Sequence, residues 1–104
     1  MNMMQQTITR TITASNNLTL RRELRGKGME NGKPVAVWVT EDGLRFEPFR
    51  MKKTYPKEQF MITRFTDSDR VYIAPKLAAA CGISRQVAVL PQAEGGFLLS
   101  PVLE

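Results

Sequence analysis

Arginine and lysine are the residues through which this chain can do chemistry: it carries 15 of them against 10 aspartates and glutamates, with no histidine and one cysteine. A net charge of +5 on 104 residues points to a polyanionic partner. Residues 1–49 hold seven basic side chains against five acidic ones, residues 50–60 four against one, and residues 61–104 four against four. The excess therefore lies in the first half and in the connector Arg50-Met51-Lys52-Lys53-Thr54-Tyr55-Pro56-Lys57. Arg50, Lys52, Lys53 and Lys57 read there as part of a phosphate-contacting surface with Tyr55 packing beside it, against the plainer reading of a solvated linker.

Catalysis has little to work with. There is no histidine, no group of carboxylates at metal-ligand spacing, and no glycine-rich phosphate loop between a strand and a helix. Cys81, between Ala80 and Gly82 in an apolar stretch, reads as a structural thiol, and one cysteine excludes an intrachain disulfide framework. The chain reads as a non-enzyme with no metal or cofactor. With no signal peptide and no apolar run near the roughly 20 residues that a bilayer requires, it reads as soluble and cytoplasmic. Trp38 could stack a nucleobase, but within 35–39 it reads first as a core or interface side chain.

The elements that must position these cations are announced twice. Leu18-Thr19-Leu20, Leu24, Gly28-Met29, Val35-Ala36-Val37 and Asp42-Gly43-Leu44 recur in outline as Val71-Tyr72-Ile73, Leu77, Gly82-Ile83, Val87-Ala88-Val89 and Glu94-Gly95-Gly96-Phe97. Superposing Leu18 on Val71 brings Leu20 onto Ile73 and Leu24 onto Leu77. In the first copy, 7–13 alternates as a half-buried strand, 14–17 supplies a turn, and 18–20 resumes the strand. Residues 21–25 make one helical turn ended by Gly26 and Gly28, and 34–40 pairs with 44–47 through the turn Asp42-Gly43. In the second copy, 62–66 and 70–73 are strands around Asp67-Ser68-Asp69. Pro75 and Gly82 bracket a short helix over 76–81, and 87–90 and 97–99 form the last hairpin. A unit of about forty residues usually cannot bury its own apolar face, so the two copies should share one core.

Arg70-Val71-Tyr72-Ile73-Ala74-Pro75-Lys76-Leu77, Gly82-Ile83, Val87-Ala88-Val89 and Gly96-Phe97-Leu98-Leu99 resemble the swapped-hairpin pattern of the AbrB and MazE superfamily. Leu18-Thr19-Leu20, residues 32–39 and Leu44-Arg45-Phe46 are more similar to its SymE branch. The resemblance implies a mainly β fold with short helices: one AbrB-like β-barrel formed as an intrachain pseudo-dimer. Its parts would be a first copy at 7–49, a basic connector at 50–60 and a second copy at 61–102. The sequence departs from the family where Ala74 separates Ile73 from Pro75, and where Arg21 and Arg22 replace the proline in the first copy.

Many members of this superfamily bind DNA, so the resemblance implies double-stranded DNA as partner and transcriptional regulation or antitoxin-like repression as the role. Family members often carry paired arginines just inside the short helix; the matching positions after Leu77 are Ala78 and Ala79, while the first copy offers Arg21, Arg22 and Arg25, with Lys27 following. Arg10 and Arg64 stand at comparable places on the first strand of each copy, as a pseudo-two-fold pair suited to a duplex, and Arg70 matches a further family arginine. With Arg50, Lys52 and Lys53 these make one contact face, the second copy mainly completing the core. Asp67 and Asp69 flank the same turn and oppose a phosphate there. The alternatives are a protein-interaction module, an antitoxin or inhibitor, and a SymE-like toxin acting on nucleic acid. As an assembly, either a monomeric pseudo-dimer or a homodimer follows.

Overall fold

Two turns with the same chemistry organise the chain. In each, a threonine (Thr13, Thr66) turns its hydroxyl back to accept a backbone N–H four residues on: Asn17 N to Thr13 Oγ1 at 3.1 Å, and Arg70 N to Thr66 Oγ1 at 3.3 Å. Asn16 and Asp69 then take the left-handed conformation, φ 64° and 63°, which short polar side chains tolerate better than most. Their carbonyls reach across to the other copy, accepting from Ile73 N at 2.8 Å and Leu20 N at 2.9 Å. Each turn thus caps a strand that the other copy supplies.

The computed structural model describes residues 8–102, so Thr7, the expected start of the first strand, lies outside it. The first unit contains β1 (Ile8–Thr11), β2 (Asn17–Thr19), a 3-10 turn (Arg22–Leu24), β3 (Val35–Thr40) and β4 (Gly43–Pro48). The second contains β5 (Phe60–Thr63), β6 (Arg70–Tyr72), α1 (Pro75–Ala80), β7 (Gln86–Pro91) and β8 (Phe97–Pro101). Pro75 opens α1, and Gly82 at φ 74° closes it with Ile83 N donating to Ala78 O at 2.9 Å. The first unit lacks the proline and reaches Gly26 at φ 83° within two residues of Leu24, so only one 3-10 turn forms. The β3–β4 loop is Glu41-Asp42, one residue earlier than expected, because Thr40 pairs with Gly43 and its hydroxyl accepts from both Asp42 N and Gly43 N.

Six strands form one antiparallel sheet in the order β1-β7-β8-β4-β3-β5, and β2 pairs with β6 in a separate ribbon. That order is unchanged when every strand is exchanged for its counterpart in the other unit. β1 pairs with β7 and β5 with β3, so each unit's first strand lies in the other unit's half of the sheet. The centres of exchange are Leu18 opposite Val71 in the ribbon and Arg45 opposite Leu98 in the sheet.

A closed barrel is not what forms. Among the described residues no ladder joins β1 to β5, so the sheet is open and both strands are edges. After four residues each, β1 and β5 turn away at the Thr13 and Thr66 turns, and the ribbon closes over the core instead. The inner face of the sheet (Val37, Phe46, Val89, Leu99) packs with Leu18 and Val71 of the ribbon, all buried. The Phe46 and Phe97 rings stack at 4.6 Å, each fully buried side chain stabilising the fold by about 2 kcal/mol. No helix among the described residues is long and apolar enough to cross a membrane.

Candidate nucleic-acid interface

The ribbon buries one face and shows the other. Leu18 and Val71 point into the core, which leaves Asn17, Thr19, Arg70 and Tyr72 outward, paired as Asn17 with Tyr72 and Thr19 with Arg70. Tyr72 is 44% exposed, unusual for a large aromatic, and Arg70 is exposed with no side-chain partner among the described residues. Directly after β2 come Arg21 and Arg22, both exposed. They line a cleft of about 630 Å³ with Glu23, Asn31, Asp67 and Asp69, so carboxylates share the space with the cations. Lys27, also exposed, lies with Arg22 along the adjoining cleft formed by 26–30. Arg64 is exposed and donates to the Gly32 carbonyl at 3.0 Å, beside Asn31 at the cleft wall.

Arg25 is a correction. Expected among the phosphate-facing arginines, it is completely buried, and four of the five N–H groups of its guanidinium are hydrogen-bonded. Nε donates to Leu20 O at 2.7 Å, Nη1 to Met29 O at 2.8 Å and Asn31 Oδ1 at 2.7 Å, and Nη2 to Asp69 Oδ1 at 2.8 Å. Cζ lies 3.7 Å from the centre of the Phe65 ring. Burial pulls the guanidinium below its ordinary value, opposed by the Asp69 hydrogen bond. The Asn31 amide, 3.1 Å away, and then Arg25 hold the Asp69 carboxyl below the usual carboxylate range. Arg25 thus fastens the first unit to Asp69 and Phe65 of the second and is not available to a ligand.

Arg10 and Arg64 do not form a two-fold pair. The ladders match Ile8 to Met61, each opposite the equivalent valine of the neighbouring strand, which puts Arg10 on Thr63 and Thr11 on Arg64. A shift of one residue reverses the face. Arg10 shares the parity of core-facing Ile8, stays exposed, and among the described residues bonds only its neighbour's carbonyl, Thr9 O at 2.8 Å.

The connector cations sit elsewhere again. Trp38 shares the outer face of the sheet with Arg45 and Phe60, its ladder partners, and the connector folds down onto that face. Tyr55 packs against Trp38, Phe49 and Phe60 with ring centres at 5.4, 5.6 and 5.2 Å, and its hydroxyl accepts from Arg50 N at 3.0 Å. Lys53 Nζ donates to Glu47 Oε2 at 2.6 Å and lies 5.5 Å from the Trp38 ring centre. Arg50 and Lys52 are exposed. Because the ribbon covers the inner face and Trp38 lies on the outer one, Arg50 and Lys53 do not share a surface with Arg70.

Sequence reasoning passed over Tyr72, Thr19 and Asn17, although the alternation Val71-Tyr72-Ile73 and Leu18-Thr19-Leu20 marks Tyr72 and Thr19 as outward. Burial pushes the Cys81 thiol up, keeping it protonated. No protein-family model, curated protein or solved structure matches the chain.

Proposed function

We propose that the chain is a double-stranded-DNA-binding protein of the AbrB-like swapped-hairpin type, acting as a transcriptional regulator or antitoxin-like repressor by binding rather than catalysis. The observation that carries this reading is the β2–β6 ribbon with Asn17, Thr19, Arg70 and Tyr72 outward and Arg21 and Arg22 at its end. A two-stranded ribbon is one of the elements that the major groove admits. Arginine and asparagine are side chains that pair with base edges, while Arg21, Arg22, Lys27 and Arg64 suit the phosphates on either side. The exchange of first strands between units supports the swapped-hairpin assignment.

The test is binding to random duplex DNA over a salt series, for the parent and for a variant with Arg21, Arg22 and Arg70 all changed to alanine. All three are exposed, so the fold should be retained, as checked by circular dichroism. Affinity should fall steeply with salt, and the variant should bind more weakly with a log–log slope shallower by about 2, for the two phosphate contacts of Arg21 and Arg22. Salt-independent binding by the parent, or unchanged binding by the variant, removes the reading. A protein-interaction role is the second reading, favoured by the unpaired β5 edge carrying Ile62 at 46% exposure.

A further inference from the structure

On the outer face of the sheet, away from the ribbon, Trp38, Arg45, Glu47, Arg50, Lys53 and Glu94 line a pocket of about 320 Å³. That is the small end of the range for ligand sites, room for one compact group. Its floor is built with care. Arg45 is nearly covered, its side chain 11% exposed, and Nη2 donates to Glu47 Oε1 at 3.3 Å and Gly95 O at 3.0 Å. Glu47 is buried between Arg45 and Lys53, so its charge is answered from within. At the rim the Arg50 guanidinium has no hydrogen bond or ion pair among the described residues, and Glu94, 83% exposed, makes a long ion pair with Arg45 at 3.9 Å through one carboxylate oxygen.

A cation, a carboxylate and an aromatic wall in one small pocket select a particular ligand. A simple anion would meet two carboxylates, and a simple cation would meet Arg45, Arg50 and Lys53. A ligand that is anionic at one end and a flat hydrogen-bond donor at the other satisfies all of them. We propose that this pocket binds one unpaired nucleotide, with its base against Trp38, its phosphate on Arg50 and the outer side of Lys53, and its exocyclic amino group donating to Glu94. Aromatic side chains stack bases without regard to identity, whereas a carboxylate accepts from the amino group of cytosine. The site therefore favours cytosine over uracil, which lacks that amino group. The nucleotide is either free or an unpaired residue of a single strand, and in both cases the recognised chemistry is the same. The site is independent of the duplex-binding reading, because its residues and those of the ribbon lie on opposite faces of the sheet.

Trp38 is the chain's single tryptophan and reports directly on its own pocket. Intrinsic fluorescence is titrated with cytidine 5′-monophosphate, uridine 5′-monophosphate, inorganic phosphate and a short oligodeoxycytidylate. A saturable change is expected with the cytidine nucleotide, the oligomer or both, the pattern distinguishing a free nucleotide from a strand. Uridine monophosphate should bind several-fold more weakly and phosphate should have no effect. Arg50→Ala should weaken the cytidine interaction about tenfold, and Glu94→Ala should abolish the preference over uridine. The triple arginine variant of the ribbon should respond as the parent does. No saturable change with any nucleotide, an equal response to phosphate alone, equal affinity for uridine, or an unaltered Arg50→Ala titration overturns the proposal. Both substituted residues are exposed, so the variants should fold, with far-ultraviolet circular dichroism as the check.

Discussion

At the residue scale, Arg25 decides more than any other side chain. It belongs to the first unit, yet two of its partners, Asp69 and Phe65, belong to the second, so it acts as a polar bolt through the core. Removing it strands the Leu20 and Met29 carbonyls and opens a cavity beside Phe65. Arg25→Ala should lower stability by about 3 kcal/mol, measured by urea unfolding, and Arg25→Lys should recover only a minor part, since a point charge cannot serve four acceptors at once. A loss under about 1 kcal/mol would show that the bolt is ornamental. Asp69 adds a pH dependence. Its folded pKa is depressed, so its contribution is fully present above the ordinary aspartate value of about 3.9 and is lost as pH falls through the folded value, where the unfolded chain takes up the proton first. Thermal stability should therefore drop more steeply below about pH 4 in the parent than in Asp69→Asn. Parallel curves would exclude this origin. Nothing in the letters around Arg25 separated it from Arg21 and Arg22, because its burial is settled by the Asp69 carboxylate and the Phe65 ring, both in the other unit.

At the scale of elements, hairpin contact in the middle of the sheet rests on glycine. Gly96 adopts φ 76°, and a Cβ there would collide with the Phe46 carbonyl oxygen and approach Cα of Glu47. The adjacent Phe97 stacks on Phe46, so any retreat of the strand disturbs the core. Gly96→Ala should cost about 2 kcal/mol or more, read as a lower denaturation midpoint with an unchanged slope. A midpoint equal to the parent's would mean that the turn yields freely. Most elements were legible beforehand, since period-2 alternation, Pro75 and Gly82 act locally. The β5 strand was not placed correctly: it begins at Phe60, two residues before the expected start, because Phe60 is recruited by Trp38 and Tyr55. A one-residue offset in pairing, with Met61 rather than Ile62 matching Ile8, separates Arg10 from Arg64.

At the scale of the whole molecule, strand exchange makes the two units interdependent. Among the described residues β1 pairs only with β7 and β5 only with β3, so neither unit retains all its strand pairing when alone. Fragments 1–56 and 57–104 should each lack a cooperative thermal transition as monomers and regain one on mixing, followed by circular dichroism and light scattering. Cooperative unfolding of monomeric 1–56 by itself would contradict the exchange. The chain's letters alone determined the two-unit organisation, the β-rich class and the total charge, all of which follow from local periodicity, turn residues and counting. The tertiary structure decided which cations are accessible and which surfaces they share. Exposed, core-bolting and strap-holding arginines and lysines are identical as letters, and only the folded packing gives Arg25 its acceptors, Lys53 its carboxylate and Arg70 its exposure.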